Sequence, residues 1–222
     1  PGLAGPGRGA IPLVMPEAAP PPLPGSASDR RQFRASFELD RAKLRAPYPR
    51  AGIVARTALV DRLTASPSHP LLAVVAPAGY GKTTLLAQWA ERKQPRVAWL
   101  SLDRRDNDPA VLLTYLAAAL DRVQPIEATV LRSLPSPGAG TADVARLVSS
   151  IASIEAPVAV VLDNADALVS RASRDIVAEL AVRLPLGSQL AIGSRHEPPV
   201  PLARLRAQGR VAAIGTHDLA LD

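Results

Sequence analysis

Residues Leu71–Thr84, LLAVVAPAGYGKTT, constrain this chain more than any other stretch. An apolar run leads into Ala76-Pro77-Ala78-Gly79-Tyr80-Gly81-Lys82-Thr83, and LLAQWAERK follows soon after with helix-compatible side chains. The order reads as strand, phosphate-binding loop, helix. A loop of the form G-x-x-x-x-G-K-[ST] turns backbone N–H groups toward phosphate oxygens, sets a lysine where the β/γ charge lies and offers a hydroxyl to Mg²⁺. The helix behind it presents its first amides and its dipole to the same anion. Ala76 stands where the pattern has its first glycine; it is small and ends the strand. Gly79 and Gly81, which the loop needs most, are in place. The plainer alternative is a surface turn that happens to contain Gly-Lys-Thr.

The rest of the chain alternates in the same way. Thr83–Lys93 reads as helix and Arg96–Leu102, RVAWLSL, as a buried strand. Asp108-Pro109 then opens a helix running to Val123, because Asp caps free amides and Pro is tolerated at the first helical position. After a loop over Pro135–Gly140, Thr141 is placed to cap a helix carrying Val144, Leu147, Val148, Ile151 and Ile154 at helical spacing. PVAVVL, from Pro157 to Leu162, is apolar at consecutive positions, the pattern of a parallel strand covered on both faces. A helix from about Ser173 to Leu184, a strand QLAIGS, a turn and short helix closed by Gly209, and a strand Arg210–Ile214 complete the pattern. Upstream, IVARTALVDRLTAS suggests an entry segment and a short helix with Thr57 as its cap. Five strands joined by helices predict an α/β fold with a parallel sheet and right-handed crossovers. Ligands of such sheets lie beyond the carboxyl ends of the strands. The clusters Gly79–Thr84, Asp163–Asp166 and Ser194-Arg195 all fall at those ends.

Composition removes several alternatives. The 222 residues fit one domain plus an appendage, and the absence of cysteine excludes disulfides and thiolate metal sites. His69, His196 and His217 show no ligand spacing. No apolar run approaches a membrane span, so the expected setting is cytoplasmic. The net charge of +6 invites a nucleic-acid reading, but its distribution argues against one. Residues 1–56 hold nine Arg/Lys against four Asp/Glu, and residues 57–222 seventeen against sixteen. The excess sits on the amino-terminal extension, without interleaved aromatic platforms. Eight prolines in the first 24 positions make residues 1–30 a linker or disordered arm, and residues 31–50 are read as a short helix or strand ending at Pro47-Tyr48-Pro49. Residues 1–47 are accordingly expected to be linker and residues 48–222 the domain; a first residue of Pro suggests an excerpt or a processed chain.

A nucleoside triphosphate site needs a phosphate cradle, a carboxylate for Mg²⁺ at the end of an apolar strand, and a group that senses or stabilises the γ-phosphate. The cradle is Ala76 to Thr84, with Lys82 on the β/γ-phosphates and Thr83 on Mg²⁺. Asp163 is the carboxylate for that metal, directly or through water; a capping role is its plainer alternative. Arg195 offers phosphate a fixed fork of donors, with a surface salt bridge as the alternative. Asn164 lies where an acidic residue would polarise the attacking water, and an amide cannot take a proton; Asp166, two residues on, is the substitute candidate. Asp103, Asp106 and Asp108 form an acidic loop read as a helix cap at Asp108 and a solvated turn for the others, in preference to a water-orienting or Mg²⁺-proximal role.

These residues resemble a known family, the ATP-binding domains of MalT-like, large LuxR-type transcriptional regulators within the STAND class of AAA-like signal-transduction ATPases. The likeness runs from about Tyr48 to Asp222 and rests on APAGYGKTTLLAQWA, VAWLSLDRRDNDP, VVLDNAD and GSRHEPPVPLARLRAQGRV leading into DLALD. It implies a P-loop NTPase three-layer fold, a five-stranded parallel core with the Arg195 strand between those of Lys82 and Asp163, and ATP/ADP with Mg²⁺ as cofactors. It also implies that Val54-Ala55-Arg56 lies near the adenine or phosphates. Family members usually carry a winged helix, helical sensor repeats and a DNA-binding helix-turn-helix after this domain, and usually have Asp-Asp where this chain has Asp163-Asn164. The implied function is an ATP/ADP switch with slow or uncertain hydrolysis, whose partners are attached domains or further copies on ATP binding, with no direct nucleic-acid or membrane binding by this domain. A hydrolysis-deficient nucleotide-binding scaffold is the second reading, and a P-loop small-molecule kinase a more distant third.

Overall fold

The computed structural model describes residues 38–48, 52, 54–65, 69–93, 97–126, 128–134, 140–152 and 157–220, together with Gly2. The chain divides into Pro1–Gln32 and Phe33–Asp222, and the second unit is the one described below. The expected arm over residues 1–30 therefore lies, apart from Gly2, outside the described residues, as do residues 31–37, Pro135–Ala139 and Ile154.

Five strands, β1 (Leu71–Val75), β2 (Val97–Ser101), β3 (Ala159–Asp163), β4 (Gln189–Ser194) and β5 (Val211–Ile214), form one sheet. Their order is β2-β3-β4-β1-β5 and every pairing is parallel. The expected place of β4, between the strands of Lys82 and Asp163, is the observed one. Side chains alternate across each strand, and here both faces are buried. Leu71 and Ala73 of β1, Val160 and Leu162 of β3, and Leu190 and Ile192 of β4 enter the larger core. Leu72, Val74, Val161 and Ala191 enter the smaller one on the opposite face. Consecutive apolar runs in the sequence are thus the consequence of two covered faces.

The smaller core is closed by α1 (Thr57–Thr64), α2 (Lys82–Lys93) and α8 (Thr216–Leu219), through Val60, Leu63, Leu85, Leu86, Trp89 and Leu219. The larger core is covered by α3 (Pro109–Asp121), α4 (Ala128–Ser133), α5 (Thr141–Ala152), α6 (Arg171–Arg183) and α7 (Leu202–Ala207). Helix α3 is buried at every position from Leu112 to Leu120, which its uncharged sequence LLTYLAAAL permits. Asp108 caps it as expected, accepting a hydrogen bond from the Ala110 amide at 2.8 Å.

Several local expectations are corrected. Thr57 and Thr141 are first helical residues rather than caps. At α5 the cap works in reverse, with Asp143 reaching back to accept from the Gly140 amide at 3.0 Å, one half of a capping box. The short helices α4 and α8 lie below the length at which periodicity gives a signal. The largest correction concerns residues 38–47, placed with the linker on sequence. Leu44 is buried in the larger core, and the Lys43 carbonyl accepts from the Ser101 amide at 2.9 Å at the free edge of β2. The turn at Asp103–Asp108 is exposed at Arg104, Arg105 and Asp108, but not at Asp106, which is fully buried against Lys43, whose Nζ lies 2.7 and 2.9 Å from its two oxygens. The proline count that marks the arm says nothing about a single lysine pairing with a carboxylate 63 residues away.

Among the described residues no helix is long and apolar enough to cross a membrane. The Asp108 cap supplies a direct check on α3. Asp108→Ala is expected to lower stability by about 1 kcal/mol, read as a lower denaturation midpoint with an unchanged m-value in urea.

Candidate functional site

The site is built where β1 gives way to α2. Ala76 is buried, and its amide still donates to the Ser194 carbonyl at 3.2 Å, so the chain leaves the sheet only after this residue. Its backbone is not left-handed, because Asn164 is the one described non-glycine residue with positive φ. That is why alanine serves where the loop pattern begins with glycine. Gly79 and Gly81 differ: their φ values are +87° and +78°, with open space where a Cβ would sit. Glycine is required there by backbone conformation, not by crowding. The loop closes on itself through Lys82, whose Nζ donates to the Pro77 carbonyl at 2.8 Å. Loss of water around the ammonium pulls its pKa below the ordinary lysine value; Asp166 and Asp163 oppose that shift and Arg195 adds to it. A buried cation of this kind, held over a cradle of free amides, is complementary to an anion.

Two strands away, β3 delivers Asp163 to the same edge. Thr83 Oγ1 donates to Asp163 Oδ2 at 2.8 Å, which ties the start of α2 to the end of β3. The other carboxylate oxygen, Oδ1, is buried and has no hydrogen-bond partner. Burial pushes the Asp163 carboxyl above its usual value, against the Thr83 hydroxyl, the Asn164 amide and Lys82, with Asp166 adding to the rise. An orphaned buried oxygen is costly unless something occupies it. A hydroxyl and a carboxylate side by side are the hard oxygen donors that suit Mg²⁺, which takes few protein ligands and keeps the rest for water and phosphate.

Asn164 follows in the left-handed region at φ 61°, a conformation that Asn tolerates. The 3₁₀ turn Ala165–Ala167 then presents Asp166 to the end of β4. Asp166 Oδ1 accepts from the Arg195 amide at 3.0 Å, and Oδ2 lies 3.4 Å from Arg195 Nε. The carboxylate suggested as a substitute base is thus engaged in holding Arg195. About half of the Arg195 side chain remains exposed. The expected residues Lys82, Thr83, Asp163, Asp166 and Arg195 are therefore gathered at the carboxyl ends of β1, β3 and β4.

A cavity of about 480 Å³ opens on the opposite side of the loop. Its walls include Val54 and Arg56 from the entry segment, Tyr80 and Thr84 from the loop and helix, and Leu219 and Ala220 from the end of the described chain. Arg56 does not point its guanidinium into a phosphate position; it donates to the carbonyls of Leu219 and Ala220 at 2.7 and 3.4 Å. Gln88 fixes the entry segment, accepting from the Arg56 amide at 2.9 Å and donating to the Val54 carbonyl at 3.2 Å.

With this geometry in view, the likeness to known proteins is informative. Residues 67–195 match the family described as an AAA domain. The chain is 30% identical over 182 residues to the HTH-type transcriptional regulator MalT of Serratia proteamaculans (strain 568), covering 81% of this chain and 20% of that protein. It is 29% identical over 184 residues to MalT of Yersinia enterocolitica, and 29% over 188 residues to MalT of Vibrio parahaemolyticus, each match covering 82% of this chain and 20% of the relative. The chain thus spans about a fifth of the length of the curated relatives it matches. A chain in a solved structure of Drosophila ORC bound to AT-rich DNA and Cdc6 overlaps 72% of this one, and 53% of its own length, at a TM-score of 0.48 and 14% identity.

Sequence reasoning missed Gln88, Gly193 and the pair Leu219-Ala220. Gln88 was visible as the one polar residue inside LLAQWA. Gly193 had a clearer signal, since a lone glycine within a strand marks a close approach. A Cβ there would lie 2.9 Å from Asp163 Oδ1 and 2.7 Å from Leu86 Cδ1. Leu219-Ala220 belong to the DLALD stretch of the family resemblance, but their place beside the loop carried no local signal, because only the fold brings them there. Gly193→Ala is expected to cost about 1–3 kcal/mol through overpacking and to displace Asp163, seen as a lowered melting temperature.

Proposed function

Because the chain belongs to the AAA domain family and carries a MalT-like P-loop nucleotide-binding domain, we propose that it binds ATP and ADP with Mg²⁺ and serves as the regulatory switch of a MalT-type regulator. One observation carries the nucleotide reading furthest. The glycine loop and buried Lys82 stand beside a Thr83–Asp163 pair whose remaining carboxylate oxygen has no partner. In this reading the amides of Ala78–Thr83 and the Lys82 ammonium hold the β/γ-phosphates. Thr83 and Asp163 hold Mg²⁺, which when bound neutralises phosphate charge. Arg195, steadied by Asp166, faces the γ-phosphate and distinguishes ATP from ADP. The cavity lined by Val54, Tyr80 and Leu219 takes the base, in keeping with its largely apolar walls.

The switch reading follows from what the site can and cannot do chemically. Water attack on the γ-phosphate is helped by a group that orients or deprotonates the nucleophile. Asn164 has no basic oxygen of that kind, and Asp166 is committed to Arg195. Both features support occupancy-controlled signalling over rapid turnover. They also favour a second reading, a nucleotide-dependent scaffold without hydrolysis, in which bound nucleotide only sets the surface offered to attached domains or to further copies.

The test begins with the protein as purified: denaturation, identification of released nucleotide by mass, and titration of ATP and ADP into the emptied protein. Lys82→Ala removes charge-assisted contacts worth about 1.5–3 kcal/mol each, so its affinity is expected to fall at least about tenfold. Equal affinity in the variant would refute the phosphate assignment. Asn164→Asp separates the two readings. Slow phosphate release by the wild type, accelerated in the variant, supports a hydrolytic switch; a wild type with no release supports the scaffold.

A further inference from the structure

Lys43 lies far from the phosphate loop in sequence and in role, and its surroundings are among the most elaborate in the domain. A lysine almost withdrawn from solvent needs compensation for its lost hydration. Lys43 receives it from three sides. Its Nζ makes two contacts with the fully buried Asp106 carboxylate, at 2.9 and 2.7 Å, and a third with Asp103 Oδ2 at 3.2 Å. It also sits 4.2 Å from the centre of the Tyr115 ring, whose hydroxyl accepts from the Asp40 amide at 3.1 Å. Segment 40–44 is thereby seated on the free edge of β2.

The same carboxylate organises the turn at the end of β2. Asp106 Oδ2 accepts from the Asp103 amide at 2.7 Å, and Asp103 Oδ1 from the Arg105 amide at 2.7 Å, a reciprocal cap on the 3₁₀ turn Arg104–Asn107. The turn ends in Asn107, every side-chain contact of which is directed at backbone. Its Nδ2 donates to the carbonyls of Arg104 at 3.1 Å and Ala167 at 2.9 Å, and its Oδ1 accepts from the amides of Val169 and Ser170, both at 2.7 Å. The segment so clipped is the one that leaves Asp163 and carries Asp166. Ion pairs and hydrogen bonds thus tie Lys43 to Asp106, the chain joins Asp106 directly to Asn107, and the Asn107 hydrogen bonds hold residues 167–170, from which the chain leads back to the Asp166–Arg195 pair.

We propose that Lys43 is a positioning residue for the γ-phosphate end of the site: its ammonium, buried against Asp106, sets the Arg104–Asn107 turn, and Asn107 sets the 165–170 segment so that Asp166 holds Arg195. The consequence for ligands rests on the nucleotide reading given above; the positional coupling does not. ADP, which ends at the β-phosphate, touches the loop and Lys82 but not the Arg195 end. ATP touches both. Lys43 is thus coupled to the discrimination between the two and not to binding in general, so loosening it changes one affinity and spares the other.

The test uses the 222-residue chain with Lys43→Met and, separately, Asn107→Ala, which leaves the buried ion pair intact and keeps the test available if the first variant does not fold. Amide hydrogen exchange is read without ligand, and ATP·Mg²⁺ and ADP·Mg²⁺ are titrated as probes. Each variant is expected to speed exchange at Val169, Ser170 and Arg195 by tenfold or more, while the central amides of β1 keep wild-type protection. ATP affinity is expected to fall at least fivefold relative to ADP affinity, with ADP itself within twofold of wild type. The double variant is expected to shift the ratio no further than the larger single change, since both residues act along one path. Faster exchange confined to residues 40–44 and 101–106, or equal losses for ATP and ADP, would overturn the proposal and leave the ion pair as a brace of the sheet edge. If neither nucleotide binds the wild type, the nucleotide reading fails, and the exchange measurement still decides the coupling.

Discussion

The short contact between Thr83 and Asp163 holds the site together. It joins the first turn of α2 to the last residue of β3 across the intervening strand β4. For that to happen, β4 must pass beneath without a side chain in the way, and Gly193 is the residue at which it does so. The sheet order then becomes a requirement of the site and not a separate fact. With β4 between β1 and β3, the glycine loop, the carboxylate and Arg195 arrive side by side at one edge. A strand order that moved β3 elsewhere would leave Asp163 with no hydroxyl to meet and Lys82 with no nearby carboxylates.

The electrostatics of this edge are arranged by burial more than by net charge. Lys82 and Asp163 are each shifted in the direction that lost hydration dictates, the cation downward and the acid upward. Both shifts oppose the charged forms, and a counter-charge placed beside either group would relieve its shift, an anion for the lysine and a cation for the carboxylate. The near balance of acidic and basic residues over 57–222 means that the charge of this edge comes from a few desolvated groups and not from a broad positive field.

What could be read from the sequence, and what could not, divides along a physical line. The strands were legible because two covered faces force consecutive apolar residues. The loop was legible because Gly79 and Gly81 must take conformations that other residues avoid, and Asp108 because a cap acts within its own helix. These signals are local. Lys43 with Asp106, Asn107 with Ala167 and Ser170, and Leu219 with the loop each depend on partners tens of residues away, and neither composition nor periodicity registers such pairings. The Asp166–Arg195 pair lies between these cases. Both residues were singled out, but only the three-dimensional arrangement shows that they satisfy each other.

Arg56 adds a mechanical property. Its guanidinium grips the Leu219 and Ala220 carbonyls, so one side chain ties together two segments that lie 163 or more positions apart in sequence. Force that separates these two segments is borne at this clasp and at the Gln88 contacts with the Arg56 amide and the Val54 carbonyl. The clasp is also one wall of the cavity beside the loop. A molecule filling that cavity braces the clasp, and an empty cavity leaves its strength to the hydrogen bonds of two side chains, Arg56 and Gln88.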